Sequence, residues 1–233
     1  CDHGRLDVSM HPFTGGISDD VRLTPRYDEA DPLGSLYPAL HEGGHGMYER
    51  GLPAEWRLQP VGGAMGMAMH ESQSLLVEMQ ACRGDAFLHY LSPLLRELGG
   101  VSGPAWEVQG LATRVRHVAR SLIRVEADEV TYPLHIIHRY RLERAILGGD
   151  LAVTDLPGAW REGMQGLLGV DVPNDRDGCM QDIHWMDGAF GYFPTYTLGA
   201  MAAAQLFQTA EAALVNLSDD LSRGDFARLM AWL

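Results

Sequence analysis

Residues 40–49 of the chain read Leu-His-Glu-Gly-Gly-His-Gly-Met-Tyr-Glu, which contains the pattern H-E-x-x-H from His41 to His45. Residues four apart lie on one face of an α-helix, so His41 and His45 can present two imidazole nitrogens to a single ion. Such an ion keeps room for a third protein ligand and for a water whose pKa it lowers to roughly 7. Glu42 is placed to take the proton of that water. The stretch therefore predicts a metal site on a helix.

An ordinary amphipathic helix with two surface histidines is the competing interpretation of the same stretch. Gly43, Gly44 and Gly46 count against it, because each glycine weakens a helix by about 1 kcal/mol relative to alanine. A purely structural helix has no reason to carry three of them. We therefore expect another part of the chain to approach this backbone closely.

Length, charge and cysteine content limit the remaining possibilities. The 233 residues suit one domain or one large piece of a bigger one, and the formal net charge of -13 disfavours binding to a nucleic-acid backbone. Neither a membrane span nor a signal peptide is visible in the sequence. The three cysteines lack a C-x-x-C spacing, which favours a reducing, cytoplasmic location. The chain starts without Met and stops inside a helical pattern, so we expect both ends to be cut.

Helical patterns dominate the chain after residue 30. Arg5–Ser9 and Val21–Thr24 alternate around the Gly15-Gly16 turn signal and predict a small antiparallel hairpin or sheet. Asp31-Pro32 and Gly51 mark the start and the end of the helix that carries the histidines. Further helices are expected at 64–83, 85–99, 104–117, 121–147 with a kink at Pro133, and from 198 to the end.

The third metal ligand must come from a nearby carboxylate. Glu49 lies one turn beyond His45 and should fit poorly, whereas Glu71 and Glu78 lie on the next helix, which can fold back across the first. Glu71 is preferred, because His70 and the following Ser-Gln provide polar partners, while Glu78 precedes residues typical of a surface turn. On spacing alone, Glu78 stays open as the alternative.

Two further regions carry residues that could bind a substrate. Arg124 lies before the expected kink, where it could either pair with Asp128 on a solvated helix face or bind a substrate carboxylate through its planar fork. The segment 178–196 is rich in Gln, Asp, His, Trp, Gly and Tyr, a composition more typical of a pocket wall than of a core helix. His184 could serve there, or it could be a buried histidine bonded to Asp182.

Six short motifs occur in the order seen in one family of proteins. They are His11-Pro12-Phe13, Asp20-Val21-Arg22-Leu23-Thr24, H-E-x-x-H at 41–45, His70-Glu71-Ser72-Gln73, I-R-x-x-A-D-x-x-x-Y from Ile123 to Tyr132, and G-x-x-Q-D-x-H-W from Gly178 to Trp185. In this respect the chain resembles the carboxypeptidase Taq family, the M32 metallocarboxypeptidases. The resemblance implies a mainly α fold, namely a helical zincin-like metallopeptidase core (gluzincin, neurolysin/ACE-like) with a small antiparallel hairpin or sheet near the N-terminus.

The resemblance also implies a role for particular residues. His41, His45 and Glu71 match the family's metal ligands, and Glu42 matches the general base that activates a water molecule. His11 matches a residue that lines the active site, and Arg124 matches the one that holds the C-terminal carboxylate of the substrate. His184 and either Tyr196 or Tyr192 match donors to the substrate or the oxyanion. Asp20, Arg22 and Thr24 match the run that closes the end of the groove.

The function that the resemblance implies is that of a carboxypeptidase of broad specificity, acting on peptides with a free C-terminus. One divalent ion per chain is expected, Zn2+ before Co2+, together with a homodimer and a cytoplasmic location. Residues 1–233 would form a single catalytic-core region that lacks the family's N-terminal helical region and stops early at its C-terminal end. The chain also has Leu75 and Val77 where the family commonly has a basic residue and a Trp.

Two other functions are compatible with the same motif. A helical H-E-x-x-H protein with a downstream Glu could be an endopeptidase or a dipeptidyl-carboxypeptidase, and dependence on a free C-terminus separates these from a carboxypeptidase. The chain could also be a catalytically incomplete helical fragment that binds metal and hydrolyses nothing.

Overall fold

The computed structural model describes residues 3–9 and 12–233. Two compact units are present: Cys1–Val115 together with Gly199–Leu233 form unit 1, and Arg116–Leu198 form unit 2. The strands are β1 (Gly4–Leu6), β2 (Phe13–Ile17) and β3 (Asp20–Thr24), and the α-helices are α1 (Pro32–Gly51), α2 (Met67–Leu75), α3 (Asp85–Leu98), α4 (Val108–Val115), α5 (Tyr132–Gly148), α6 (Leu156–Leu168), α7 (Pro194–Ala213), α8 (Leu217–Leu221) and α9 (Ala227–Trp232). The prediction of a mainly α fold with a small sheet is confirmed.

The sheet of unit 1 has the strand order β1-β3-β2, with β1 parallel and β2 antiparallel to β3. The antiparallel pair of β2 and β3 confirms the predicted hairpin, but the predicted pairing and turn are wrong in two respects. The segment that begins at Arg5 pairs with β3 in parallel, and Gly15-Gly16 lie inside β2 rather than in a turn. Gly16 has a φ of +102°, and a Cβ there would stand 2.1 Å from the carbonyl oxygen of Asp20. Close strand pairing, and not a turn, is what requires glycine at this position.

Helix α1 begins where the sequence predicts. The Asp31 side chain accepts a hydrogen bond from the backbone N–H of Gly34 at 3.1 Å, and Pro32 occupies the first turn. Helix α2 lies against α1 and continues through Leu76–Ala81 as a π-helix. A single, largely exposed loop with two short 3-10 turns connects them, so the second helix folds back onto the first.

The glycines of α1 permit close packing on two sides. A Cβ on Gly44 would stand 2.6 Å from the Cα of Ser74 on α2, and a Cβ on Gly46 would stand 3.0 Å from Cγ1 of Val21 on β3. The expected close approach is therefore confirmed at these two positions. At Gly43 an added Cβ would meet nothing within 4 Å.

Each unit has its own hydrophobic core. In unit 1, Leu76, Leu88, Leu111 and Leu229 are completely buried and hold α3, α4 and α9 around the end of the α2 segment. In unit 2 the core lies between α5 and α6 and is formed by Leu142, Trp160, Met164 and Leu168. In the part of the chain that the structure describes, no helix combines the length and the apolar character needed to cross a bilayer.

The predicted kinked helix at 121–147 is wrong. Residues Arg124–Glu126 form a 3-10 turn, and α5 begins only at Tyr132, so Pro133 occupies its first turn and not its middle. The side chain of Asp128 accepts hydrogen bonds from the backbone N–H groups of Val130 and Thr131. This turn ends the preceding segment, and proline is well suited to the first helical turn because no backbone donor is needed there.

Candidate functional site

Helices α1 and α2 bring three ligand atoms together in unit 1. The Nε2 atoms of His41 and His45 lie 3.8 Å and 3.4 Å from the two carboxylate oxygens of Glu71, and the ligand atoms of the three residues all lie within 4.8 Å of one another. A tetrahedral zinc ion with bonds of about 2.1 Å holds its donor atoms roughly 3.4 Å apart. Two imidazole nitrogens and one carboxylate at these separations therefore fit a divalent ion.

Glu71, the candidate third ligand, is held from a second direction by α7. A Cβ on Gly199 would stand 2.8 Å from Cβ and 2.9 Å from Cγ of Glu71, so a larger residue at this position would push the carboxylate aside. Glu71 and His45 are only 5% and 9% exposed. Few water molecules can therefore compete with the donor atoms for the ion.

His41 is oriented by a carboxylate behind it. Its Nδ1 lies 3.0 Å from Oε2 of Glu78, and Oε1 of Glu78 accepts a hydrogen bond of 2.6 Å from Nη2 of Arg83. Glu78, which the sequence analysis placed just before residues typical of a surface turn, is thus a largely buried partner of a candidate ligand. Burial alone would lower the pKa of His41, but the bond to Glu78 and the charges of Glu71 and Glu42 raise it to about 9. The negative potential that stabilises the extra proton would also favour a dication.

His45 is oriented by a second histidine. Its Nδ1 lies 2.6 Å from Nδ1 of His70, and Nε2 of His70 lies 2.8 Å from Oε1 of Glu49. Glu49 therefore bonds to His70 and does not belong to the group of three candidate ligands, as its position one turn beyond His45 predicts. Sequence reasoning identified His70 as a polar neighbour of Glu71 but missed its contact with His45. The i,i+4 spacing of His45 and Glu49 on α1 was the available signal.

Glu42 lies on α1 and is buried, with only 7% of the residue exposed. The hydroxyl of Thr14 on β2 lies 2.6 Å from Oε2 and 3.0 Å from the carbonyl oxygen of Glu42. The hydroxyl donates to the carboxylate and fixes its orientation. Thr14 follows the His-Pro-Phe motif directly and was missed by sequence reasoning, although that proximity was a usable signal.

In unit 2, Arg124 belongs to a buried network with Asp182. Nε and Nη2 of Arg124 lie 2.9 Å and 2.8 Å from Oδ1 of Asp182, and Nη1 donates to the hydroxyl of Tyr132. Arg139 contacts the other oxygen of Asp182 at 2.5 Å. Burial alone would raise the pKa of Asp182, but the charges of Arg139 and Arg124 outweigh burial and hold that pKa below its usual value. The alternative of an exposed pair between Arg124 and Asp128 is wrong.

His184 lies beside two tyrosines. Its Nε2 lies 3.0 Å from the hydroxyl of Tyr196, and its ring centroid lies 5.3 Å from that of Tyr192. The alternative in which His184 bonds to Asp182 is wrong, because both oxygens of that carboxylate accept hydrogen bonds from Arg124 and Arg139. Burial and, after it, the charge of Arg124 lower the pKa of His184, so its ring is neutral near pH 7.

The loop that carries His184 is supported from α5. Glu143, only 4% exposed, accepts a hydrogen bond of 2.7 Å from the indole N–H of Trp185 and one of 2.6 Å from the backbone N–H of Gly191. The two contacts hold both ends of the loop that lies between His184 and Tyr192. Sequence reasoning missed Glu143, since nothing in the helical pattern of α5 distinguishes it.

The remaining predicted site residues have different outcomes. Arg22 projects from β3 into solvent, and its guanidinium pairs with Asp20 at 2.6 Å and 3.0 Å. Thr24 is buried on the same strand and bonds to the carbonyl oxygen of Phe13. His11 lies outside the described residues.

Comparisons with known proteins identify a family and several relatives of this chain. The family model described as carboxypeptidase Taq (M32) metallopeptidase matches residues 1–233. Thermostable carboxypeptidase 1 of Thermus thermophilus is 46% identical over 230 residues, which are 98% of this chain and 45% of that protein. Carboxypeptidase 1 of Bacillus subtilis is 40% identical, over 100% of this chain and 46% of its own length.

Solved structures of carboxypeptidases also match the chain. Metallocarboxypeptidase 1 of Trypanosoma cruzi superimposes with a TM-score of 0.94 at 42% identity, over 99% of this chain and 48% of that one. The M32 carboxypeptidase of Deinococcus radiodurans R1 gives a TM-score of 0.91 at 43% identity, over 100% of this chain and 47% of that one. The chain thus spans slightly less than half the length of the relatives it matches.

Proposed function

Because the chain belongs to the carboxypeptidase Taq (M32) metallopeptidase family, we propose that it takes part in metal-dependent removal of the C-terminal residue from peptides of varied sequence. The observation that carries the proposal is the convergence of His41, His45 and Glu71 within 4.8 Å, next to the buried carboxylate of Glu42. Residues 1–233 would act as a single catalytic-core region.

The proposed chemistry follows from the donor set. A divalent ion held by His41, His45 and Glu71 would polarise a peptide carbonyl and lower the pKa of a water molecule to roughly 7. Glu42 would accept the proton of that water and pass it to the departing amine. The Thr14 hydroxyl supports this role, because it holds one oxygen of Glu42 and leaves the other to receive the proton.

We assign substrate recognition to residues of unit 2. Arg124 would bind the free C-terminal carboxylate: a guanidinium carries five N–H donors, so a substrate could share it with Asp182 and Tyr132. His184, neutral because of burial and Arg124, and Tyr196 would donate to the substrate carbonyl or to the oxyanion; Tyr192 is the alternative donor. His11 would line the site, and Arg22 would help to close the end of the groove.

The native ion is proposed to be Zn2+, one per chain, with Co2+ as a substitute. Two imidazoles and one carboxylate accept either ion, so the ligand types alone do not separate the two. A homodimer and a cytoplasmic location complete the proposal, on the strength of the family resemblance.

The proposal is tested with one N-blocked peptide prepared as the free acid and as the C-terminal amide. Each form is incubated with the 233-residue chain and Zn2+ or Co2+, and the products are followed by mass spectrometry. Successive loss of single residues from the free acid alone is the expected result, because recognition of the terminal carboxylate positions the last peptide bond. Cleavage of both forms would instead indicate an endopeptidase.

Glu42→Gln is the matched control, because the amide keeps the shape of the side chain and removes the base. We expect this variant to bind metal normally and to lose hydrolysis by a factor of about 100 to 10,000. Glu71→Ala should lose both. Turnover by Glu42→Gln at the wild-type rate would contradict the assignment of the base. Normal metal binding without cleavage by the wild-type chain would favour the alternative of a catalytically incomplete metal-binding fragment, consistent with coverage of under half of each relative.

A further inference from the structure

Two histidine rings meet nitrogen to nitrogen beside the candidate metal site. Nδ1 of His45 lies 2.6 Å from Nδ1 of His70. At this distance one proton must lie between the two nitrogens, since two N–H groups would repel each other and two lone pairs would form no bond. One ring is therefore the donor and the other the acceptor.

The surroundings determine which ring donates. Nε2 of His45 faces Glu71 at 3.4 Å and must be free of a proton to bind a metal ion, so the proton of neutral His45 is on Nδ1. Nδ1 of His70 is then the acceptor. The proton of neutral His70 is on Nε2, from which it is donated to Oε1 of Glu49 at 2.8 Å. Both Nδ1 atoms and Nε2 of His70 then each have one partner of the required type.

The same two helices that carry the ligands build this chain of contacts, the His45–His70–Glu49 relay. Glu49 lies one turn beyond His45 on α1, and His70 directly precedes Glu71 on α2. The ring of Tyr48 packs edge-on against His70 with centroids 5.1 Å apart, which limits rotation of the His70 ring. The side chain of His70 is only 12% exposed, so water has little access to its nitrogens.

The two histidine ligands are thus supported in different ways. Nδ1 of His41 donates directly to a carboxylate, that of Glu78, whose charge is balanced by Arg83. Nδ1 of His45 donates to a neutral ring that separates it from the carboxylate of Glu49. A metal-bound histidine normally requires such a partner to fix its tautomer and its orientation.

We propose that His70 and Glu49 are positioning residues for His45, holding it as the Nδ1–H tautomer with Nε2 directed at the ion. The inference rests on the proposed metal site and goes beyond it, because it gives a role to two residues that bind neither the ion nor the substrate. Removing the acceptor would leave a buried N–H without a partner and free the ring to turn.

The test measures zinc affinity by competition with a chromophoric chelator, using the full 233-residue chain. His70→Phe keeps a ring against Tyr48 but removes both nitrogens, and we expect it to bind zinc about 10 to 100 times more weakly than wild type. His70→Gln should recover part of the loss, because its amide oxygen can accept from Nδ1 of His45. His89→Phe, the same substitution at an exposed histidine of α3, is the control and should bind zinc as wild type does.

A second pair of variants addresses the far end of the relay at a more exposed position. Glu49→Gln keeps an acceptor for Nε2 of His70, whereas Glu49→Ala removes it. We expect a clear loss of zinc affinity only in Glu49→Ala. Thermal unfolding of the metal-free proteins shows whether each variant is folded. If His70→Phe does not fold, the zinc affinity of Glu49→Ala decides the test.

Nitrogen-15 NMR of histidine-labelled, zinc-loaded chain gives a readout that a merely structural role would not produce. We expect a protonated Nδ1 on His45, an unprotonated Nδ1 on His70, and a scalar coupling between these two nuclei across the hydrogen bond. A protonated Nδ1 on His70, or wild-type zinc affinity in both His70→Phe and Glu49→Ala, would overturn the relay while leaving the metal site intact. Failure of the wild-type chain to bind zinc would instead refute the proposed function and the relay together.

Discussion

Thr14 controls the orientation of Glu42 through a direct hydrogen bond. Its hydroxyl lies 2.6 Å from Oε2 of Glu42, and it reaches this position from β2, a different element from the helix that carries the carboxylate. A carboxylate with one oxygen fixed by a hydrogen bond has fewer orientations available to it. The proposed base is therefore preorganised by the sheet.

Replacing Thr14 tests this contact. Thr14→Val keeps the shape of the side chain and removes the hydroxyl, and we expect kcat for peptide hydrolysis to fall about tenfold, corresponding to about 1.4 kcal/mol. Zinc affinity should not change, because Thr14 touches no ligand. Thr14→Ser should restore kcat. Equal rates for the valine and serine variants would show that the hydroxyl is not what matters.

At the residue scale, the sequence indicates the ligands more clearly than it indicates what holds them. The spacing of His41 and His45 and the polar neighbours of Glu71 favoured these three residues, and the family resemblance then selected Glu71 over Glu78. The roles of Thr14, His70 and Glu78 depend on how β2 and α2 lie against α1. Contacts 25, 28 and 37 residues apart in sequence follow from that packing and not from local pattern.

At the scale of secondary structure, Gly44 sets the distance between α1 and α2. An added Cβ would stand 2.6 Å from the Cα of Ser74 and 2.7 Å from the carbonyl oxygen of Gln73. These are backbone atoms, which cannot rotate away as a flexible side chain can. Any larger residue must therefore separate the two helices that hold the ligands.

Gly44→Ala and Gly43→Ala form a matched pair on neighbouring positions of one helix. We expect Gly44→Ala to lower the free energy of unfolding by about 1–3 kcal/mol and to weaken zinc binding, because overpacking moves Glu71 relative to the histidines. Gly43→Ala should instead raise the free energy of unfolding by up to about 1 kcal/mol, since its Cβ meets nothing and alanine favours the helix. Denaturant unfolding with zinc titration measures both. A stabilising Gly44→Ala would contradict the close packing.

Helix α5 shows where local pattern misleads. The apolar spacing of residues 121–131 resembles a helix, but Arg124 is held by Asp182, which lies 58 residues further along the chain. This long-range pair and the turn at Asp128 stop the segment from continuing as a helix. Pro133 is a helix-start signal in the sequence, but the helical pattern that precedes it favours the interpretation as a kink.

At the scale of the whole molecule, pH should act on unit 2 through two buried histidines. His135 and His138 are 0% and 3% exposed. Burial and, after it, the charge of Arg139 lower the pKa of each to about 4. Both rings are therefore neutral in the folded state over a range in which the unfolded chain is protonated.

The sign of the effect follows from proton uptake. Between pH 6.5 and 4 the unfolded chain binds more protons at these positions, so the free energy of unfolding falls as the pH falls through this window, by at most about 1.4 kcal/mol per pH unit for each histidine. His41, with its pKa raised to about 9 in the metal-free protein, behaves oppositely: its stabilisation is complete below pH 6.5 and is lost as the pH rises through 9. His41 therefore contributes little to the change of the free energy of unfolding between pH 6.5 and pH 4.

The metal-free chain and His138→Gln provide the test. Glutamine keeps a side-chain donor but does not titrate, so the variant should show a shallower loss of unfolding free energy between the pKa of 6.5 in the unfolded chain and that of about 4 in the folded protein. Urea unfolding monitored by circular dichroism measures this dependence. Identical slopes in the two proteins would mean that His138 is not a neutral, buried group.

For the whole molecule, the sequence predicted the fold class but not the details of its organisation. The family motifs are spread from residue 11 to residue 185 and predicted the helical fold with its small sheet. The parallel pairing of β1 with β3 was missed, because alternation indicates a strand without indicating the direction of its partner. The division into two compact units was not predicted either, because unit 1 combines two stretches that residues 116–198 separate in sequence.

Anomalous X-ray diffraction from crystals of the zinc-loaded chain, collected above and below the zinc absorption edge, would locate the ion of the proposed metal centre. We expect a single strong peak at about 2.0–2.2 Å from Nε2 of His41, Nε2 of His45 and a carboxylate oxygen of Glu71. Glu78 and His70 should remain on the Nδ1 atoms behind the two histidines. An ion bound by Glu78 or Glu49, or the absence of any ion at His41 and His45, would contradict the assignment of the metal centre.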